Sequence, residues 1–233
     1  MSLSRKQFVS ATALGISAAA IGLETTAEAQ ERAPVHFHIL KPTQYDRAAM
    51  LRVLRSGGSN KQVFQSVTPL VIAPGIASLY LHMQNSMDAY EFSLEAGKLS
   101  TLGVILGPSI IFALNDNIWE KYGFGKAFNV AATNAYYKAS SNLSLNTSAD
   151  NPNGIYQDWS AQAVLKRGGK FFVCHNAMTA VAAVLASKTA GATPAGVLAD
   201  FEKNVLPGFL VVPAGVASVQ QAQEYGWKPF PII

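Results

Sequence analysis

The chain has 233 residues, of which 49% are hydrophobic and only 14% are charged, whereas about a quarter of the residues in a typical soluble domain are charged. This composition excludes a disordered polymer, and the length suits one domain or at most two. The net charge of +4 comes from scattered residues without a basic block, so nucleic acid is not an expected partner. The single cysteine, Cys174, excludes an intramolecular disulfide and a metal site built from several thiolates of one chain.

The first 29 residues have the pattern of a secretory signal. Arg5 and Lys6 precede a short apolar stretch over residues 9–23, and an Ala-Glu-Ala cleavage site ends at Ala29. The apolar stretch is shorter than the roughly 20 residues that a membrane-spanning helix needs. We therefore expect cleavage after Ala29 and a mature protein in the bacterial periplasm, with no membrane partner.

The residues around Arg5 also indicate a route of export. The sequence Ser-Arg-Lys-Gln-Phe resembles a twin-arginine translocation motif in which Lys6 replaces the second arginine. The mild hydrophobicity of the stretch favours this route, while the lysine leaves the general secretory route open. The alternative is an uncleaved N-terminal helix that tethers the chain to a membrane.

Residues 30–59 are predicted to form an N-terminal extension that packs on the domain formed by residues 60–233. The segment begins with a short stretch around His36 and His38. A helix is expected over residues 45–55, because three apolar residues recur there at helical spacing before a Gly-Gly pair.

From residue 60 onward the pattern alternates between strands and helices. The expected strands are residues 61–67, 99–106, 170–174, 209–213 and 227–233. The expected helices are residues 76–94, 159–166, 177–187, 194–205 and 215–225. The last strand contains Pro229 and Pro231, so we expect it at an edge of the sheet. Residues 140–158 are rich in Ser, Asn and Asp, which predicts a surface loop able to act as a lid.

The alternation predicts a three-layer α/β fold, with a mostly parallel sheet and helices on both faces. Sheets of this kind bind ligands beyond the carboxyl ends of their strands. Here those ends are Gly107, Cys174 and Pro213, which makes Cys174 the first candidate for chemistry.

Cys174 lies where a predicted strand ends and a helix begins. Free N–H groups at a helix N-terminus carry positive potential, which stabilises a thiolate, the nucleophilic form of cysteine. His175 is a candidate cation or general base beside it. The opposing interpretation is that Cys174 is a small buried hydrophobic residue, as free cysteines often are.

Other chemistry-bearing patterns are weaker. The sequence lacks the common dinucleotide, nucleotide, hydrolase, zinc-protease and dithiol motifs, so no cofactor is predicted. His36 and His38 share one face of an extended segment and would need a further ligand to hold a metal. Asp116 and Trp119 are interpreted either as lining a pocket near Gly107 or as capping and packing a short helix.

Several segments in a fixed order resemble the DsrE-like superfamily of sulfur-relay proteins, in its exported branch with twin-arginine signals. The resemblance spans about residues 61–230. Its carriers are Lys61-x-Val63-Phe64, Asn85 with Tyr90, the strand into Gly107, Asp116-x-x-Trp119-x-Lys121-Tyr122, Phe171-Phe-Val-Cys174-x-Asn176-Ala177, and Leu206-Pro207-Gly208 followed by Val211-Val-Pro213. The resemblance implies a flavodoxin-like fold, a persulfide-accepting cysteine at position 174, and a homo-oligomer, a trimer or a hexamer.

The leading hypothesis is an exported protein that binds or carries a sulfur species on Cys174. Its partner would be a small sulfur-containing molecule or a sulfur-donor protein. The predicted binding residues are Asn85, Asp116, Trp119, His175 and Asn176, with the two asparagines hydrogen bonding the anion and Asp116 and Trp119 forming the pocket wall.

Two other hypotheses stay open, as does the question of whether the protein is an enzyme. The first is a non-catalytic periplasmic ligand-binding or scaffold protein in which Cys174 is buried and structural. The second is a metal site that combines Cys174, His175 and another histidine.

Overall fold

The computed structural model describes residue 35 and residues 37–139 and 156–232. Its strands are β1 (Lys61–Ser66), β2 (Val71–Ala73), β3 (Ile76–Ala77), β4 (Ser100–Ile105), β5 (Lys170–Cys174), β6 (Phe209–Val212) and β7 (Lys228–Ile232). Its α-helices are α1 (Arg47–Arg55), α2 (Ser78–Asp88), α3 (Asp116–Tyr122), α4 (Phe124–Phe128), α5 (Ala161–Lys166), α6 (His175–Lys188), α7 (Pro194–Lys203) and α8 (Gly215–Glu224). A π-helix over Ala89–Ser93 extends α2, and a 3-10 helix covers Gly107–Ala113.

Five parallel strands form the central sheet in the order β6-β5-β4-β1-β7. The strands in the middle are nearly continuous apolar runs because helices cover both of their faces. The chain moves from β1 to β6 in one direction and then returns to place β7 on the other side of β1. The predicted three-layer α/β fold is confirmed, and the arrangement is flavodoxin-like.

The two faces of the sheet are covered by different helices. On one face, Tyr80 of α2 packs edge-on against Phe171 of β5, with ring centroids 5.5 Å apart. On the other face, α8 packs against β1, β4, β5 and β7. Because successive side chains of a strand point to opposite faces, Phe171 and Cys174, three positions apart, face opposite layers.

Helix α1 is joined to the main domain by its buried side. The Asp46 carboxylate caps the helix by accepting a hydrogen bond from the Ala49 N–H at 2.7 Å. Met50 and Leu54 are buried, and the indole of Trp227 donates a hydrogen bond to the Leu54 carbonyl at 2.9 Å. The segment before the first strand therefore contributes to the core.

One predicted element differs from the structure, and a second is largely untested by it. The helix expected over residues 76–94 begins only at Ser78, because Ile76 and Ala77 turn back at Pro74-Gly75 and pair with β2. A Pro-Gly pair suits a tight turn between strands as well as it suits a helix start. The loop predicted over residues 140–158 lies outside the described residues except for its last three positions.

At the carboxyl ends of the strands, the backbone at Gly107 lies very close to that at Val67. Gly107 has φ +56°, and a Cβ there would lie 2.7 Å from the Val67 carbonyl oxygen. Only glycine satisfies both constraints without strain. Ser109 reinforces the junction, since its hydroxyl donates to the carbonyls of Ser66 and Leu106. The ends of β1 and β4 are fixed beside the end of β5.

Candidate functional site

Cys174 is both the last residue of β5 and the N-cap of α6. An apolar run builds the strand, and the helix begins at His175 immediately after it. The Sγ atom accepts a hydrogen bond from the Ala177 N–H at 3.3 Å. The sulfur therefore lies at the positive end of a 14-residue helix, where negative charge is stabilised.

The surroundings of Cys174 are tightly packed. The residue is 6% exposed. A Cβ placed on Gly215 would lie 3.1 Å from the Cys174 Cβ and 3.0 Å from Leu106, so the first residue of α8 comes close to the thiol because it has no side chain. The Asn176 N–H donates to the Pro213 carbonyl at 3.3 Å and ties the ends of β5 and β6 together.

His175 lies in the interface between α6 and α7. Its side chain is 2% exposed, and Nε2 lies 3.0 Å from Oε1 of Glu202. The Nδ1 atom is buried and has no hydrogen-bond partner. The imidazole is thus engaged with a carboxylate of the neighbouring helix, and the prediction that it assists Cys174 receives no support from this contact.

Asn176 follows in the first turn of α6 and is partly buried. Its Oδ1 atom is buried without a hydrogen-bond partner. A buried amide oxygen without a partner is costly, and such groups in native proteins call for a bound water, ion or ligand. Of the predicted binding residues, His175 and Asn176 both lie in the same helix turn as Cys174 and both have a buried polar atom without a hydrogen-bond partner.

Asn85 does not join this site. The residue is exposed on α2, which covers the face of the sheet that Phe171 contacts. Cys174 faces the opposite layer, beside Gly215 of α8. The prediction that Asn85 joins Asn176 in binding an anion at Cys174 is therefore corrected, because the sheet lies between Asn85 and the Cys174 side chain.

Asp116 and Trp119 have structural roles. Trp119 is fully buried, and its Nε1 donates to the Ile111 carbonyl at 2.9 Å. Asp116 is exposed, and its carboxylate accepts a hydrogen bond from the Asn134 N–H at 2.7 Å. The interpretation as a pocket wall is corrected: Trp119 packs a short helix into the core, and Asp116 fixes a turn next to it.

Within the described part of the chain, no three His, Cys, Asp or Glu side chains form a group able to hold a metal. His36 lies outside the described residues, so a role for it remains a prediction. Over the same described ranges, no helix has both the length and the apolarity needed to cross a membrane.

Two residues near Cys174 and His175 were not predicted from the sequence. Glu202 contacts His175 from 27 positions along the chain, and a lone acidic residue on a helix carries no signal of such a pairing. Gly215 directly follows a strand end, which is the only hint of its closeness to the thiol.

No family model, curated protein or solved structure matches the chain. The resemblance to DsrE-like proteins therefore remains a prediction from the sequence.

Proposed function

We propose that the protein accepts a sulfane sulfur on Cys174 and carries it as a persulfide. The observation that carries this proposal is the position of Sγ at the N-terminus of α6, where it accepts the Ala177 N–H. The same helix end that stabilises a thiolate also stabilises the anionic persulfide formed from it.

The reaction is an exchange between a persulfide donor and the cysteine. The Cys174 thiolate attacks the outer sulfur of a donor R–S–SH, a new S–S bond forms at Cys174, and the S–S bond of the donor breaks. The electron pair of that bond leaves with the donor as the thiolate R–S⁻. No external oxidant or reductant is needed, and the outer sulfur keeps its proton.

Treatment of the native protein with glutathione persulfide is expected to add the mass of one sulfur atom, and a thiol reductant is expected to remove it. Intact mass spectrometry measures both steps. Because Cys174 is the only cysteine, the Cys174→Ser variant is a complete blank. Circular dichroism of the variant verifies that it is folded. Absence of an adduct on the folded wild-type protein would refute the proposal.

The 6% exposure of Cys174 favours a second candidate, a ligand-binding or scaffold protein with a structural thiol. Alkylation with iodoacetamide before and after denaturation distinguishes the carrier function from the structural role of the thiol. Reaction of the native protein within minutes supports the carrier function. Reaction only after denaturation supports the structural role, because local opening would then be too rare to expose the sulfur.

The proposal includes export to the bacterial periplasm and assembly into a trimer or hexamer. Three exposed apolar side chains support assembly: Leu70 and Ile72 lie on the hairpin that follows β1, and Val216 lies in the first turn of α8, at the edge that carries Cys174. Native mass spectrometry of the periplasmic fraction is expected to give a mass three or six times that of a chain that begins at Gln30. A monomer, or a chain that retains Met1, would contradict the corresponding part of the proposal.

A further inference from the structure

A concave surface lies near the amino ends of β4 and β5, at the end of the sheet opposite to Cys174. We call it the Arg167 cleft, and its volume is about 280 Å³. It is lined by Met87, Glu91, Lys98, Leu99, Tyr156, Lys166 and Arg167. Lys98 and Leu99 directly precede β4, and Arg167 precedes β5, whose length separates the cleft from Cys174 by about 13 Å.

The inner wall of the cleft is rigid and polar. Arg167 is 8% exposed, and its guanidinium donates to Asp88 at 2.6 Å, to Glu91 at 3.0 Å and to Gln84 at 2.9 Å. The ring of Tyr156 covers the guanidinium, with 3.8 Å between the guanidinium carbon and the ring centroid. The carboxylates of Asp88 and Glu91 are therefore already paired with Arg167.

The rim of the cleft carries unbalanced positive charge. Lys98 and Lys166 are exposed, and neither forms an ion pair with any residue that the structure describes. The nearest acidic groups of the cleft, Asp88 and Glu91, are engaged with Arg167. Two ammonium groups thus lie beside apolar side chains without a partner of opposite charge.

The backbone at the cleft is also unusual. Glu91 belongs to the π-helix Ala89–Ser93, which widens the end of α2. Such turns are rare and less stable than α-helix, and they occur frequently at functional sites. Glu91 of this π-helix contacts Arg167 and lines the cleft together with Met87 and Leu99.

We propose that the Arg167 cleft binds a small organic anion, with its acidic group between Lys98 and Lys166 and its apolar body against Met87, Leu99 and Tyr156. The cleft is slightly smaller than the sites that hold drug-sized ligands, which favours a small ligand. The two lysines without an ion-pair partner favour an anion, and the apolar side chains beside them favour one with an apolar body. This binding is independent of the proposed chemistry at Cys174.

Benzoate is the probe for this site. A titration followed by two-dimensional amide NMR at low salt is expected to give saturable binding of one benzoate, with the largest shifts at Leu99 and at the residues around Tyr156. In the double variant Lys98→Gln/Lys166→Gln, benzoate affinity is expected to fall at least about tenfold. The double variant Lys188→Gln/Lys203→Gln removes the same charge from exposed positions on α6 and α7, and it is expected to keep the wild-type affinity.

Two further ligands test the chemistry of the site. Benzyl alcohol has the ring without the charge, and inorganic phosphate has charge without the ring. Both are expected to bind at least about tenfold more weakly than benzoate. The proposal fails if benzoate shows no saturable binding, if its shifts lie elsewhere, if both double variants bind it equally, or if either of these ligands matches its affinity.

Discussion

Replacing Arg167 by Met is expected to lower the free energy of unfolding by about 3–5 kcal/mol, because it leaves two carboxylates without their counter-charge. Asp88 is almost fully buried and lies 2.6 Å from Nη1 of Arg167, and Glu91 lies 3.0 Å from Nη2. Removal of one partner from a buried pair leaves the full desolvation cost of the other. Urea denaturation followed by circular dichroism measures the loss.

The matched control is the surface pair Arg52 and Asp46. Its closest N···O distance is 4.0 Å, and the two side chains are 72% and 57% exposed. Exposed pairs of this kind contribute little, so Arg52→Met is expected to change the free energy of unfolding by less than about 1 kcal/mol. Equal effects of the two variants would show that the Arg167 network is not buried in solution.

The loss of unfolding free energy caused by Arg167→Met is expected to grow as the pH rises. Burial raises the pKa of the Asp88 carboxyl above its ordinary value, although Arg167 opposes this through its charge and hydrogen bond. A raised pKa in the folded state gives stability at acidic pH that is lost as pH rises through that pKa. Without Arg167 the pKa of the Asp88 carboxyl rises further, so the stability lost with increasing pH becomes larger. Denaturation of both proteins between about pH 4 and 7 measures the difference, and a deficit that shrinks with increasing pH would contradict this account.

The positions of the central strands along the chain could be predicted from local patterns, because burial on both faces demands continuous apolar runs. The run over residues 170–174 is bounded by a Gly pair and a helix start, and β5 occupies those positions. Pro229 and Pro231 lack an N–H group, which predicted an edge strand, and β7 pairs only with β1. Each of these signals lies within a few residues of the element that it determines.

Which residues meet at each site could not be predicted in the same way. That depends on which face of the sheet each helix covers and on which side of it each side chain lies. Asn85 and Cys174 were grouped because both carried the family resemblance, yet the sheet lies between them. Arg167 directly follows the predicted helix over residues 159–166, and its position there suggests only the end of that helix. Its partner carboxylates lie more than 70 positions earlier, a separation over which spacing carries no information.

The same limit applied to Trp119, for which the sequence allowed a pocket wall or a core residue. Its indole packs against Phe124 and Tyr136, with ring centroids 5.9 and 6.0 Å away, and its Nε1 donates to the Ile111 carbonyl. A fully buried ring of this size has no free surface for a ligand. The burial of this side chain therefore helps to hold the short helix α3 in place, together with that of Ile118.

Replacing Trp119 by Ala is expected to lower the free energy of unfolding by about 3–5 kcal/mol, through lost burial and the cavity left behind. Trp119→Phe keeps most of the apolar contact but removes one of two donors to the Ile111 carbonyl, which still accepts the Leu114 N–H, so the expected cost is only about 0.5–1.5 kcal/mol. Phe37→Ala is the control, since that ring is 47% exposed, and little change is expected. Urea denaturation measures the free energy of unfolding of the three variants and so ranks their stability. If Trp119→Ala were as stable as the control, the indole would be solvent-accessible and the pocket interpretation would return.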